Sequence, residues 1–313
     1  ALAVFNHMLR VRIGSPAYGK TITFTVKDAE GNALATNNFV GRVINRNACA
    51  AFNEKSTKPE DAVSVEGVNY STIKDAIANV SNGGVITVNS DLREGGLFVP
   101  AGDKEFTIDL SGHAFTAAAP LAGSSGTENQ ALHLEKGNTI TIKNGIIAAA
   151  DGLENIKFII QNYSNLTLEN VTIDAANLNY PGQVLYAISN NCGNVLLSGN
   201  TSIINVPAGA VALDACKYAS YEKPLVTFAT TGTIGGEIEL SGGDIKLDAN
   251  LNVTQPIVGR YKGVSDIDLG GKTLTAPKIA VLNEDATLTV HDGNIVSENY
   301  LGVMVGSNTK TDI

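Results

Sequence analysis

The sequence predicts a mostly β protein: a right-handed parallel β-helix, a solenoid of short strands, with a short capping α-helix and a small N-terminal β-domain. The first observation is a duplication in fixed register. IDLSGHAFTA (108–117) recurs as IDLGGKTLTA (267–276), and GGVITVNSDL (83–92) recurs as GGDIKLDANL (242–251), with 267 − 108 = 242 − 83 = 159. Repeats in constant register mark a duplicated structural unit. The second observation is a shorter period: NTITIKNGII (138–147) and NLTLENVTI (165–173) share an alternating apolar pattern, 166 − 140 = 26 residues apart. That spacing suits one turn of a solenoid whose strands stack about 4.8 Å apart. The third is composition. With 32 Gly, 9 Pro, no Trp and 17% charged residues in 313, the chain suits short strands joined by tight turns.

Taken in order, residues 1–58 read as a separate β-domain and anchor. TITFTV (21–26) alternates with period two and is followed by the turn cluster Asp28-Ala29-Glu30-Gly31-Asn32 and a further apolar stretch through Val40, Val43 and Ile44. Leu2, Val4, Phe5, Met8 and Leu9 form an apolar arm suited to docking on another protein or to a first strand. Residues 59–83 read as a linker and the capping helix. Ser71 or Thr72 caps it, and Ile73, Ala76, Ile77 and Val80 fall on one face. Gly83 and Gly84 are expected to end it as C-cap glycines. Its single apolar stripe would be buried over the open end of a strand stack.

Residues 84–313 read as the β-helix, with related repeats at 83–173 and 242–313. The pattern of ATLTVHDGNI (286–295) follows NTITIKNGII with a smaller offset, 286 − 138 = 148. The difference, 159 − 148 = 11 residues, places an insertion around 118–128, expected as a surface loop. Inward Ile, Leu and Val would stack into a continuous core, with Asn, Gly and Asp at the corners.

Several function classes are disfavoured. A net charge of −9 argues against nucleic-acid binding, which needs a basic face. No apolar run approaches the roughly 18–20 residues of a membrane span, and the opening ALAVFNHMLRVRIG has no signal-peptide pattern. Cys49, Cys192 and Cys216 have neither disulfide-framework nor zinc spacing and read as small apolar residues.

For chemistry, a polysaccharide-cleaving site needs two carboxylates at one glycosidic bond, or a base with calcium-binding Asp residues. Asp109 and Asp268 occupy equivalent turns of the two repeats, so each reads as a turn former. Glu169, Asp174, Asp285 and Asp292 read as isolated acids on solvated corners. His7, His113, His133 and His291 show no metal-ligand spacing in sequence. No catalytic residue, cofactor or metal is therefore expected. Tyr180, Tyr186, Tyr218 and Tyr221 lie in the less regular stretch 174–224, where aromatic faces either stack on sugars or pack that segment.

The run AVSVEGVNYSTIKDAIANVSNGGVITVNSDL (62–92), followed by TIDLSGHAFT, resembles a β-helix module of surface and fibre proteins of gut bacteria and their phages. Tyr70, Ala76, Ile77, Asp91, Leu92, Ile108, Asp109, Leu110, Gly112 and Thr116 carry the resemblance, which spans roughly 62–300. It implies a non-enzymatic structural protein of a bacteriophage virion: a head fibre, capsid decoration or tail fibre. The N-terminal region would hold capsid or other virion proteins, the chain would form a homotrimer, and the β-helix would reach a host-surface glycan. A bacterial cell-surface adhesin and a tailspike-like polysaccharide depolymerase are the alternatives.

Overall fold

In the computed structural model the described residues are 21–27 and 33–40, as backbone, then 62–306 and 309–313. The chain divides into two compact units, Ala1–Lys58 and Pro59–Ile313. In the first, Thr21–Lys27 pairs antiparallel with Ala33–Val40, with a register shift at Val26/Lys27. The apolar arm Leu2, Val4, Phe5, Met8 and Leu9 lies outside the described residues, as do Val43, Ile44 and Cys49.

The second unit is mostly β, with long parallel sheets. One sheet has nine strands. It runs from Leu97–Val99 through Gln130–Leu134, Phe158–Asn162, Tyr186–Asn190, Val211–Cys216, Glu237–Ser241, Ile257–Gly259 and Val281–Asn283 to Val303–Val305. A larger sheet carries Glu105–Asp109, Thr139–Ala149, Asn165–Asp174, Val195–Gly199, Leu225–Thr230, Asp244–Leu247, Val264–Asp268 and Thr287–His291 in neighbouring positions. The chain visits the two sheets alternately, and each return pairs parallel with the previous visit. A smaller parallel sheet joins Leu251–Asn252, Thr273–Ala276 and Asn294–Ser297.

The 26-residue period is a pairing register: Ile140 is opposite Leu166, and Ile142 opposite Leu168. Alternation places these side chains in one core, and Ile142, Leu168, Leu197 and Phe228 line up on successive strands, all buried. The duplication is also kept in space. Ile86 pairs with Ile108, and Ile245 pairs with Ile267. The copies do not share a column, however. Following partners strand by strand, Ile108 leads through Ile142 to Leu247, whereas Ile267 leads back through Ile245 and Val226 to Leu166 and Ile140. The second copy is thus displaced by two residues, an even slip that leaves every inward side chain inward.

The turn former reading of the repeated aspartates matches the geometry. Asp109 Oδ1 accepts from the Ser111 N–H at 2.9 Å, and Asp268 Oδ1 from the Gly270 N–H at 2.8 Å. Ser111 and Gly112 have φ of 52° and 88°, and Gly270 and Gly271 have 53° and 74°, so both turns use two successive left-handed residues. At the opposite corner, Asn162 and Asn190 are buried and paired in register, with Asn162 Nδ2 donating to Asn190 Oδ1 at 2.9 Å. Asn162 Oδ1 also accepts from the Ser164 hydroxyl at 2.7 Å, holding the bend between the sheets.

The helix spans Ile73–Asn79, capped by Thr72, whose hydroxyl accepts from the Asp75 N–H at 3.0 Å. Ile73, Ala76, Ile77 and Val80 are buried in the core, against Val63–Val65, Gly84–Val88 and Leu97–Val99. The expected glycine C-cap is corrected. The cap is Val80 in extended conformation, its N–H returning to Ala76 O, and the left-handed Gly83 belongs to the following turn. The insertion at 118–128 is largely exposed and returns to the sheet at Ala122, whose N–H donates to Gln130 O at 2.8 Å.

Candidate functional site

One outward column of the nine-stranded sheet is polar where its neighbours are apolar. Its members pair in register: Phe98, His133, Gln161, Ser189, Asp214, Glu239 and then Val258. Most sit between core residues in short triplets, Leu132-His133-Leu134, Ile188-Ser189-Asn190, Leu213-Asp214-Ala215 and Ile238-Glu239-Leu240. Although it faces away from the core, several of its polar members are covered, while Phe98 at its end is exposed. His133 is 3% exposed, Asp214 5% and Glu239 2%. What covers it differs at the two ends.

At the Phe98 end the cover is aromatic. Phe98 stacks on His133 at 5.0 Å between centroids, and His133 meets Tyr163 at 5.7 Å. Tyr163 then receives the edges of Tyr218 and Tyr221 at 6.4 and 6.2 Å, and those two rings lie 6.0 Å apart. Lys136 Nζ stands 5.1 Å over the Tyr221 ring. His133 is fixed through both nitrogens, to Gln130 Oε1 at 2.8 Å and Glu135 Oε1 at 2.9 Å. Burial pushes the Tyr163 phenol above its usual range, reinforced by Tyr218 and Glu135. Tyr218 remains 51% exposed, so the patch ends in an open ring face.

At the Glu239 end the cover is an ion cluster. Arg260 Nη1 donates to Glu237 and, at 2.9 Å, to Glu239; its Nε donates to Glu284 at 2.7 Å and its Nη2 to Glu284 at 3.2 Å. Glu284 is held below the usual carboxylate range by the Arg260 hydrogen bond, whereas burial pushes Glu237 up against the pull of Arg260. Asp214 accepts from the Ser241 hydroxyl at 2.8 Å, and burial raises its carboxyl to about 7, with Glu239 adding to the shift. Burial, then the Asp214 charge, lifts the nearby Cys216 thiol to about 11. Beside this cluster opens a cavity of about 520 Å³ lined by Val184, Val206, Pro207, Glu237, Arg260 and Tyr261 among others.

The four tyrosines singled out in the sequence therefore separate. Tyr218 and Tyr221 share one patch, which also holds Phe98, His133 and Tyr163. Tyr186 instead stacks on Phe158 at 5.5 Å. Its phenol is raised by burial and then by Glu239 and Asp214, which places it near the ion cluster. Tyr180 is half-buried and joins neither ring group. The covered column went unread, though its signal is in the sequence. Polar residues centred between core residues recur at 161 − 133 = 28, 189 − 161 = 28, 214 − 189 = 25 and 239 − 214 = 25.

The reading of Asp292 as an isolated corner acid is corrected, because it pairs with His291. His291 Nε2 meets Asp266 at 3.0 Å and its Nδ1 meets Asp292 at 2.9 Å, and ligand atoms of Asp268, His291 and Asp292 lie within 4.8 Å of one another. The Asp266 and Asp292 hydrogen bonds raise the imidazole to about 9, so at neutral pH it is the cation of an exposed ion-pair cluster. Cys192 is buried and Cys216 half-buried, both free thiols. Among the described residues no helix is long and apolar enough to cross a membrane. Comparison with protein-family models, with curated proteins and with solved structures finds no match to this chain.

Proposed function

We propose that residues 84–313 form a right-handed parallel β-helix that acts, without enzymatic activity, as the projecting stalk of a bacteriophage virion fibre and attaches to glycan. The solenoid reading is supported by nine strands pairing in register and by the alternation of the chain between two sheets. At about 4.8 Å per strand, eight steps carry the sheet roughly 40 Å, a rod whose use is reach. The virion setting rests on the resemblance of residues 62–92 and their repeat to fibre modules.

The single observation that carries attachment is the aromatic patch from Phe98 to Tyr218. Tyrosine faces stack on the C–H faces of sugar rings while phenols and Lys136 serve the hydroxyls. Glycan-array binding by the whole chain, lost in a Tyr218→Ala, Tyr221→Ala double variant with unchanged melting temperature, is the expected result. Unchanged binding in that variant would overturn the attachment role.

The acid-lined cavity favours depolymerase activity as the second reading. Glycoside hydrolysis needs one carboxyl holding a proton and a second free to act as base. Here burial raises the proton affinity of Asp214, which does not line the cavity, and of Glu237, which does, but Glu237 and its cavity neighbour Glu239 are both tied to Arg260. Falling viscosity of a capsular polysaccharide incubated with the chain would favour this second reading over the first.

A further inference from the structure

We propose that the cavity beside Arg260 is a second carbohydrate subsite, selective for a neutral or amino-bearing pyranose unit and closed to acidic sugars. This rests on the carbohydrate reading above, but on different residues. At about 520 Å³ the cavity falls within the roughly 300–1,000 Å³ of small-molecule sites. Val184, Val206 and Pro207 give it apolar lining, and Val184 is 46% exposed. A pyranose ring has such an apolar face.

Tyr261 also lines the cavity, 64% exposed, on a backbone with φ of 58°. An aromatic residue resists the left-handed region, and Lys262 after it is left-handed too, at 54°. Ordered strain of this kind persists where surrounding structure enforces it, and here it sets an open ring at the rim of a cavity.

Charge chooses the ligand. All three guanidinium nitrogens of Arg260 already donate to carboxylates, Nε to Glu284, Nη1 to Glu237 and Glu239, and Nη2 to Glu284 at 3.2 Å and Glu237 at 3.4 Å. Three carboxylates against one guanidinium leave the site acceptor-rich and negative. Hydroxyl or ammonium donors of a ligand would satisfy the remaining lone pairs, with Thr254 and Gln255 completing the polar rim. A uronate or sialate carboxylate would meet repulsion, and the one cationic side chain among the described lining residues, Arg260, is already engaged.

The test is saturation-transfer NMR and calorimetry on the full chain with methyl glucoside, methyl glucosaminide and methyl glucuronide at millimolar concentration. Tyr261→Gly is the chosen variant, because glycine accepts the left-handed backbone and the fold should survive. In the Tyr218→Ala, Tyr221→Ala background, which removes the aromatic patch, the first two should bind and the glucuronide should not, and adding Tyr261→Gly should weaken that binding at least tenfold. Glucuronide binding as tight as glucoside in that background, or unchanged binding on adding Tyr261→Gly, would overturn the subsite. If array glycans still bind through Tyr218 in that event, the attachment reading stands and only the subsite falls. If the wild-type chain binds no glycan in either assay, both fall.

Discussion

Asp214 and Glu239 stand side by side in register on adjacent parallel strands, yet only Glu239 is held by Arg260, at 2.9 Å, while Asp214 has the Ser241 hydroxyl at 2.8 Å. Two neighbouring buried carboxylates repel each other, and the nearer cation decides which of them stays charged. Glu239 thereby joins the ion cluster, while Asp214 is left beside a hydroxyl with its carboxyl raised by burial to about 7.

Stability should therefore depend on pH through Asp214. Its folded carboxyl titrates near 7, above the roughly 3.9 of an unfolded aspartate, so the folded state binds the extra proton. The contribution is complete below about pH 4 and is lost as pH rises through 7. Asp214→Asn removes the titration, so its unfolding free energy from urea titration should match wild type near pH 4 and exceed it at pH 8, by on the order of a few kcal/mol. A variant as pH-sensitive as wild type over that range would place the titration elsewhere.

Removing the cation should be costly. Arg260→Met leaves Glu239 buried and unpaired, which costs about 3 kcal/mol, the low end for a buried pair because the guanidinium is partly solvated. Adding Glu239→Gln should recover part of the loss. Chemical denaturation of the single and double variants measures both, and equal midpoints for all three proteins would contradict the arrangement.

The Asn162–Asn190 pair should matter more than its surface chemistry suggests. Asn162→Ala takes away the acceptor of the buried Ser164 hydroxyl and the donor to Asn190 Oδ1, at about 1–3 kcal/mol. An Asn162→Asp variant should be worse still at neutral pH, since it buries a charge beside Asn190 Oδ1. Thermal melts of the two variants against wild type check the order.

His291 offers a local test of the surface cluster. Its imidazole resonances should titrate near 9, and Asp266→Asn, which removes the leading cause, should lower that value. Because the folded value lies above the roughly 6.5 of an unfolded histidine, the stabilising contribution is full below 6.5 and lost as pH rises through 9. A value unchanged by the substitution would show that Asp292 alone holds the ring.

The repeated turn makes a comparison within one molecule. Ser111 occupies with φ of 52° the place that Gly270 fills in the second copy, so Ser111→Gly should be neutral or slightly stabilising. Gly112→Ala, at φ of 88°, should destabilise by about 1 kcal/mol. Melting temperatures that rank the two variants the other way would show that the side chain of Ser111, through its 3.4 Å contact to Asp109, sets the turn.

The sequence by itself determined the local features. Alternation in TITIKNGII and NLTLENVTI specified strands, their 26-residue offset specified the pairing of Ile140 with Leu166, and Asp109 and Asp268 specified their own turns, because each depends on residues close along the chain or on an exact repeat. Only the tertiary structure decided the two-residue slip between copies, since alternation with period two is blind to an even displacement. It alone gathered Glu237, Glu239, Arg260 and Glu284 into one cluster and split Tyr186 from Tyr218, because loops of unequal length between strands set which residues come to share a face.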